Sequence, residues 1–237
     1  MNKSKACLYL FPSQLGETAL SRILPDFNIH LIAEIRYFIV EDLRTARRFL
    51  KKNNSQINID ALEFFVLNKQ TKPEELNDFI QPLLQGHSMG IISEAGCPAI
   101  ADPGATIVAL AHQHSIQVVP LIGPSSILLA LMASGFNGQS FAFNGYLPIP
   151  KAEKATAIHQ AEKRIFNENQ TQIYIETPYR NMQTLADLIE YCRPHTQLCI
   201  AADISLSTEF IQTKSMADWK LKLPDLNKRP TVFILYK

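Results

Sequence analysis

Two acids, Glu41 and Asp42, follow directly on the apolar run 38–40, and Arg44 stands two positions further on. Carboxylates at the end of a strand can serve as a general base, or hold a substrate hydroxyl or amine. The same pair also suits the first turn of a helix, where the macrodipole favours negative charge. Spacing alone leaves both readings open. Arg44, Arg47, Arg48, Lys51 and Lys52 then form a basic cluster in which Arg44/Arg48 and Arg47/Lys51 are i,i+4 neighbours on a helix. Such a face can receive phosphates, or it can be an ordinary solvated surface.

Three turns carry further signals. The loop Ser93-Glu94-Ala95-Gly96-Cys97-Pro98-Ala99-Ile100-Ala101-Asp102-Pro103-Gly104 joins a buried-strand run to a helical run over 105–114. Glycine allows close backbone approach to a ligand, and proline fixes φ and removes a donor. In a parallel α/β sheet the carboxyl end of a strand is where ligands bind. The segment 118–126 reads as strand, turn and helix start, with Pro124, Ser125 and Ser126 suited to the first helical positions. Glu176-Thr177-Pro178-Tyr179-Arg180 ends another apolar run. Its acid and arginine could line a cleft, and Thr177 with Pro178 reads as a helix cap.

The composition narrows the classes. The chain has 237 residues, 46% of them hydrophobic, and a formal net charge of +1. Residues 1–120 sum to −1 and residues 121–237 to +2, so any nucleic-acid contact must come from a local patch. Cys7, Cys97, Cys192 and Cys199 show no C-x-x-C spacing, which favours buried free thiols and a reducing cytosol. His87, His112 and His114 lack helical ligand spacing, and no metal is expected. No segment has the ~20 apolar residues of a membrane span. The basic residues 1–5 precede an apolar run that ends at Pro12, too short for a signal peptide. A soluble, cytoplasmic protein is expected.

The elements that must position these residues alternate. Strand patterns fall at 7–11, 64–67, 91–92 and 118–121, with apolar runs at 31–33 and 38–40. Helix patterns fall at 18–24, 42–52, 73–85 and 105–114. The second half predicts strands at 140–145, 172–176, 198–203 and 230–236, helices at 152–167 and 181–192, and edge elements at 208–213 and 219–223. This βαβ alternation predicts a parallel sheet covered by helices on both faces. The domain boundary is placed near Leu121, giving domains 1–120 and 121–237.

Five of these segments, in order, resemble the motifs of the tetrapyrrole-methylase superfamily of S-adenosylmethionine-dependent methyltransferases. Within it, the motifs are most similar to those of the ribosomal RNA small subunit methyltransferase I family. Glu41-Asp42-Leu43-Arg44 resembles its E-D-T-R, and the 93–104 loop its S-D-A-G-T-P-G-I-S-D-P-G. Residues 120–126 resemble P-x-P-G-P-S-A, residues 143–148 F-x-G-F-L-P, and residues 175–180 Y-E-S-P-H-R. The chain departs at Leu43, Cys97 and Tyr179, and at 12–18, where P-I-G-N-L-x-D is not in place.

The resemblance implies an α/β protein of two α/β/α domains, the first sheet mainly parallel and the second mixed. It implies S-adenosylmethionine bound in a cleft between them, no metal, and a homodimer. By motif position Gly96, Cys97, Pro98, Ile100, Asp102, Ser125 and Ser126 would border the donor, and Ala201, Ala202, Pro230 and Thr231 would add main-chain contacts. Glu41 or Asp42 would be the base, with Glu176 in reserve. Arg44, Arg48 and Arg180 would hold the substrate. The acceptor implied is a cytidine 2′-hydroxyl of small-subunit rRNA. The departures leave two other readings open: a small-molecule methyltransferase, or a donor-binding protein without catalysis.

Overall fold

The computed structural model describes residues 6–237. The basic residues 1–5 weighed above as a leader lie outside them. The chain divides into two compact units, Met1–Ser125 and Ser126–Lys237. Residues 121–125 go with the first unit because they are tied into it. Leu121 N–H donates to the Leu10 carbonyl at 3.2 Å, and Asn28 Nδ2 donates to the Ile122 carbonyl at 2.8 Å.

The first unit is a five-stranded, wholly parallel sheet of β1 (Cys7–Phe11), β2 (Tyr37–Val40), β3 (Glu63–Val66), β4 (Met89–Ile92) and β5 (Gln117–Pro120). Its order is β3-β2-β4-β1-β5. The four residues of β4, in the middle of the sheet, are all buried, as a strand covered on both faces must be. Phe11 and Val40 both pair with Ile92. The residues that follow, Pro12, Glu41 and Ser93, therefore emerge side by side at the carboxyl end. One apolar layer holds Phe11, Phe38, Phe49 and Leu50, the other Leu8, Ile39, Ile91 and Ile107.

The helices are α1 (Asp26–Ile32), α2 (Leu43–Asn53), α3 (Leu76–Phe79), α4 (Gln81–Leu84) and α5 (Gly104–Gln113). Two expectations are corrected here. The 18–24 helix is a single 3-10 turn at Leu20–Arg22, while the apolar run at 31–33 closes α1. The 73–85 helix is broken into a 3-10 turn, α3 and α4, with Ile80 at φ −97°, ψ 2° between the last two. Pro82 explains the break, since it has no N–H to donate one turn back and its ring crowds the preceding turn.

The second unit is a mixed sheet of β6 (Phe141–Phe143), β7 (Thr171–Glu176), β8 (Gln197–Ala202), β9 (Phe210–Ser215) and β10 (Thr231–Tyr236), ordered β6-β7-β10-β8-β9. Only β6 and β7 run parallel. Its helices are α6 (Ser126–Ser134), α7 (Lys151–Glu168), α8 (Asn181–Tyr191) and α9 (Met216–Leu221). Ile158 and Ile165 of α7, Leu185 and Leu188 of α8, and Trp219 of α9 pack on Leu198, Ile200, Phe233 and Leu235. Trp219, expected in an edge element, is helical because Ser215 caps α9 by accepting from Asp218 N–H at 3.1 Å.

Candidate active site at the carboxyl edge of the first sheet

The 93–104 loop is pinned from within. Ser13 N–H donates to the Gly96 carbonyl at 2.9 Å, and Ser93 Oγ donates to the same oxygen at 2.7 Å. Gly96 takes φ +76°, a conformation that costs glycine little. Ala99 and Ala101 also lie in the left-handed region, at φ 66° and 62°. Non-glycine residues there are strained by about 1 kcal/mol or more. Asp102 Oδ1 offsets the strain by accepting from both Ala99 N–H and Gly104 N–H at 2.8 Å. Ile100 and Ala101 are thereby turned outward, Ile100 being half exposed. Cys97 Sγ lies 3.4 Å from the Pro124 carbonyl, and burial pushes its thiol pKa up.

The two acids of the E-D-x-R segment separate completely. Asp42 is the N-cap of α2: Oδ1 accepts from Thr45 N–H at 2.9 Å, and that bond holds its carboxyl below the usual range. Glu41 is half-buried and its pKa is raised, first by desolvation and then by the charges of Asp102 and Glu94. It accepts a backbone hydrogen bond from Glu94 and has no cation partner among the described residues. Burial likewise raises Asp102. Thr45 and Glu94 went unnoticed as site residues. Thr45 Oγ1 lies 2.5 Å from Glu94 Oε1, joining α2 to the loop across 49 positions that no local pattern connects.

The basic cluster also divides. Arg47 turns to the Phe64 ring, 5.6 Å from its centroid. Arg48, Lys51 and Lys52 line a cavity of about 590 Å³ with residues 13–17, Phe49 and 92–95. Arg44 is exposed and outside that lining. Lys52 Nζ reaches Gln14 Oε1 at 2.8 Å and Glu17 Oε2 at 3.3 Å.

In the second unit, Glu176 is not a free acid. Oε1 accepts from Arg180 Nε and a terminal guanidinium nitrogen at 2.9 and 2.6 Å and from Thr177 N–H at 2.7 Å, while Oε2 accepts from Thr184 Oγ1 at 2.9 Å. Both carboxylate oxygens of Glu176, the acid expected as the reserve base, are therefore engaged, and Arg180 is held by one of them. Thr177 is not the helix cap either: α8 starts at Asn181, after a turn in which Arg180 N–H donates to the Thr177 carbonyl. Ala201 and Ala202 lie inside β8, paired with Val232 and Thr231 on one side and Ile211 and Phe210 on the other. The Pro230 carbonyl accepts from Asp203 N–H, and Thr231 is buried. The ladder takes the N–H groups and one lone pair of each carbonyl, which leaves a ligand only the second lone pair.

No protein-family model matches the chain. A ribosomal RNA small subunit methyltransferase I of Streptococcus pyogenes is 31% identical over 219 residues, which cover 91% of this chain and 71% of that protein. The protein of the same name in Vibrio cholerae is 28% identical over 211 residues, 89% of this chain and 69% of its own. Among solved structures, the methyltransferase CobJ aligns at TM-score 0.65 with 13% identity, covering 99% of this chain and 95% of that one. The uroporphyrin-III-C-methyltransferase from Thermus thermophilus aligns at 0.57 with 16% identity, covering 99% and 93%. The two structures share the fold, and the relatives identify the chain as a methyltransferase that belongs to the ribosomal RNA small subunit methyltransferase I family.

Proposed function

We propose that the chain transfers a methyl group from S-adenosylmethionine to a ribose 2′-hydroxyl of small-subunit ribosomal RNA. The observation that carries the mechanism is Glu41, a half-buried carboxylate of raised pKa at a strand end, without a cation, in a chain of this family. When bound, the donor supplies a sulfonium-activated methyl. The donor set is taken as Gly96, Cys97, Pro98, Ile100, Asp102, Ser125 and Ser126. A pinned loop with outward Ile100 and Ala101 fits an adenosine-bearing ligand, because its shape is already set before binding. Ala201, Ala202, Pro230 and Thr231 are left out of the set for the reason given above.

A ribose hydroxyl is a poor nucleophile, so a positioned base contributes about 10²–10⁴-fold. Glu41 fills that role. Desolvation and two neighbouring acids move its pKa toward neutrality, where a base is most effective. Asp42 sets the start of α2, and Asp102 holds the loop. Alignment of nucleophile and methyl contributes on the order of 7–11 kcal/mol in favourable cases. Arg44 and Arg48 receive backbone phosphate. Arg180 anchors Glu176. The chain is further taken to act as a cytoplasmic homodimer. No helix among the described residues is long and apolar enough to cross a membrane, and Met132 on α6 is 79% exposed.

The test is methyl transfer from labelled donor to unmodified small ribosomal subunits, with the product mapped by alkaline hydrolysis, which spares 2′-O-methylated positions. Labelled, hydrolysis-resistant RNA supports the reading. Donor binding without transfer to RNA overturns it. Sedimentation equilibrium reports the dimer.

A further inference from the structure

The cavity beside α2 adds to the phosphate-binding Arg48 a composition that the proton transfer at Glu41 does not use. One wall is Arg48, Lys51 and Lys52, spaced i, i+3 and i+4 on a single helix face. The apolar lining includes Leu15, Phe49 and Ile92. Its volume, about 590 Å³, falls in the range of small-ligand pockets. Arg48 and Lys51 are exposed, and Arg48 has no ion-pair partner among the described residues. Among the described residues Lys51 Nζ reaches only the Ser55 carbonyl, at 3.2 Å. Lys52 does a different job, since its bonds to Gln14 and Glu17 hold the β1 loop as the opposite wall.

Cations over an apolar recess are what an unstacked nucleotide needs. The phosphate takes the charge and the base takes the apolar surface. A duplex presents no free base for such a recess. In a near-neutral chain RNA contact must come from a local patch of this kind. We propose that this cavity seats one splayed-out nucleotide of the single-stranded acceptor RNA, its phosphate on Arg48 and Lys51 and its base against Leu15 and Phe49. The inference rests on the RNA reading above and assigns it a strand-holding pocket. Lys52 is a positioning residue that keeps the pocket open.

The test uses the full chain with octauridylate, an unstructured probe, by fluorescence anisotropy from low to moderate salt. The double variant R48E/K51E is compared with R47E, whose side chain turns to Phe64 on the same helix. R48E/K51E is expected to weaken octauridylate by about tenfold or more, and to flatten the log–log salt slope by about 0.7, the value for one lost single-strand phosphate contact. R47E is expected to change neither by a comparable amount. Calorimetric donor binding should stay at the wild-type value in both, which also shows that they fold. On unmodified small subunits, R48E/K51E should raise KM and leave kcat near wild type. Equal effects of the two variants overturn the pocket, as does a wild-type chain that fails to bind octauridylate. The two readings fail separately. Transfer to rRNA with an unchanged KM in R48E/K51E sinks the pocket alone. Loss of octauridylate binding in that variant, in a chain that never methylates rRNA, sinks the rRNA reading alone.

Discussion

The acids of the two units live under opposite rules. In the second unit every deeply buried carboxylate has a cation or several donors. Glu176 is 2% exposed and held by Arg180, Asp187 is 5% exposed and sits 2.6 Å from Lys154, and Asp203 is 9% exposed and 2.8 Å from Arg229. Glu162 accepts from Arg193 N–H and Thr196 Oγ1. In the first unit Glu41 and Asp102 are half-buried near one another with no cation partner among the described residues; Asp102 has the N–H donors of Ala99 and Gly104 and Glu41 only that of Glu94, and both are pushed up. Paired acids hold structure together. A half-buried acid without a cation at a strand end, as Glu41 is, stores a tendency to take up a proton, and a general base needs that property.

The comparison is broken most directly by neutralising one acid of each kind. Glu41→Gln keeps the shape and removes the base. Turnover on small subunits is expected to fall by about 10²–10⁴-fold, with calorimetric donor affinity kept. A collapse of donor affinity at normal turnover would make Glu41 a donor contact instead. Asp187→Ala does the reverse. It strands a buried Lys154, a loss of about 3–5 kcal/mol in unfolding free energy, seen as a lower urea midpoint. The double variant K154M/D187L should regain most of it, because apolar replacement of a buried pair is often neutral. If D187A costs nothing, the pair is not the clamp between α7 and α8 that the geometry describes.

Gly104→Ala sharpens the contrast from inside the loop. A Cβ there would stand 2.9 Å from Asp102 Oδ1 and 3.3 Å from Ala99 N, so the Asp102 hinge must shift. Overpacking of this kind costs about 1–3 kcal/mol. It should also lower donor affinity, because Ala99 and Gly104 lose the bonds to Asp102 that bracket the strained backbone at Ala99 and Ala101. Unchanged donor affinity in a destabilised variant would separate the loop from the donor site.

How much of this was legible differs by region for a physical reason. The 93–104 loop was readable because its glycines and prolines encode local backbone geometry, and strand ends in a parallel α/β sheet converge whatever the side chains. The helix over 73–85 was misread because a periodic apolar pattern persists through Pro82, while the backbone cannot. The role of Asp42 stayed open since cap and base use the same residue type at the same position. Only the extended backbone, φ −135° and ψ 129°, with the Thr45 bond decides for the cap. The pocket was illegible. Lys52 meets Gln14 across 38 positions, and strand register sets that meeting, not sequence spacing. The surroundings of Glu176 were hidden for a related reason. Its arginine lies four positions on, yet spacing does not say whether the pair faces a ligand or itself.

The smallest predicted effect is also the cleanest in sign. Glu41 has its folded pKa raised, so its ionisation opposes folding once the pH exceeds the ordinary glutamate value. Asp42 has its folded pKa lowered by its cap bonds, so it stabilises the fold above the ordinary aspartate value and loses that contribution as the pH falls through the lowered one. Relative to wild type, E41Q should therefore gain stability as the pH rises through the region above the glutamate value. D42N should lose it as the pH rises through the aspartate region. Thermal unfolding of the three proteins across pH reads both trends. Curves that run in the same direction would mean that the two neighbouring acids share one environment. The division between a capping residue and a base would then fall, and Asp42 would return as a candidate for the proton.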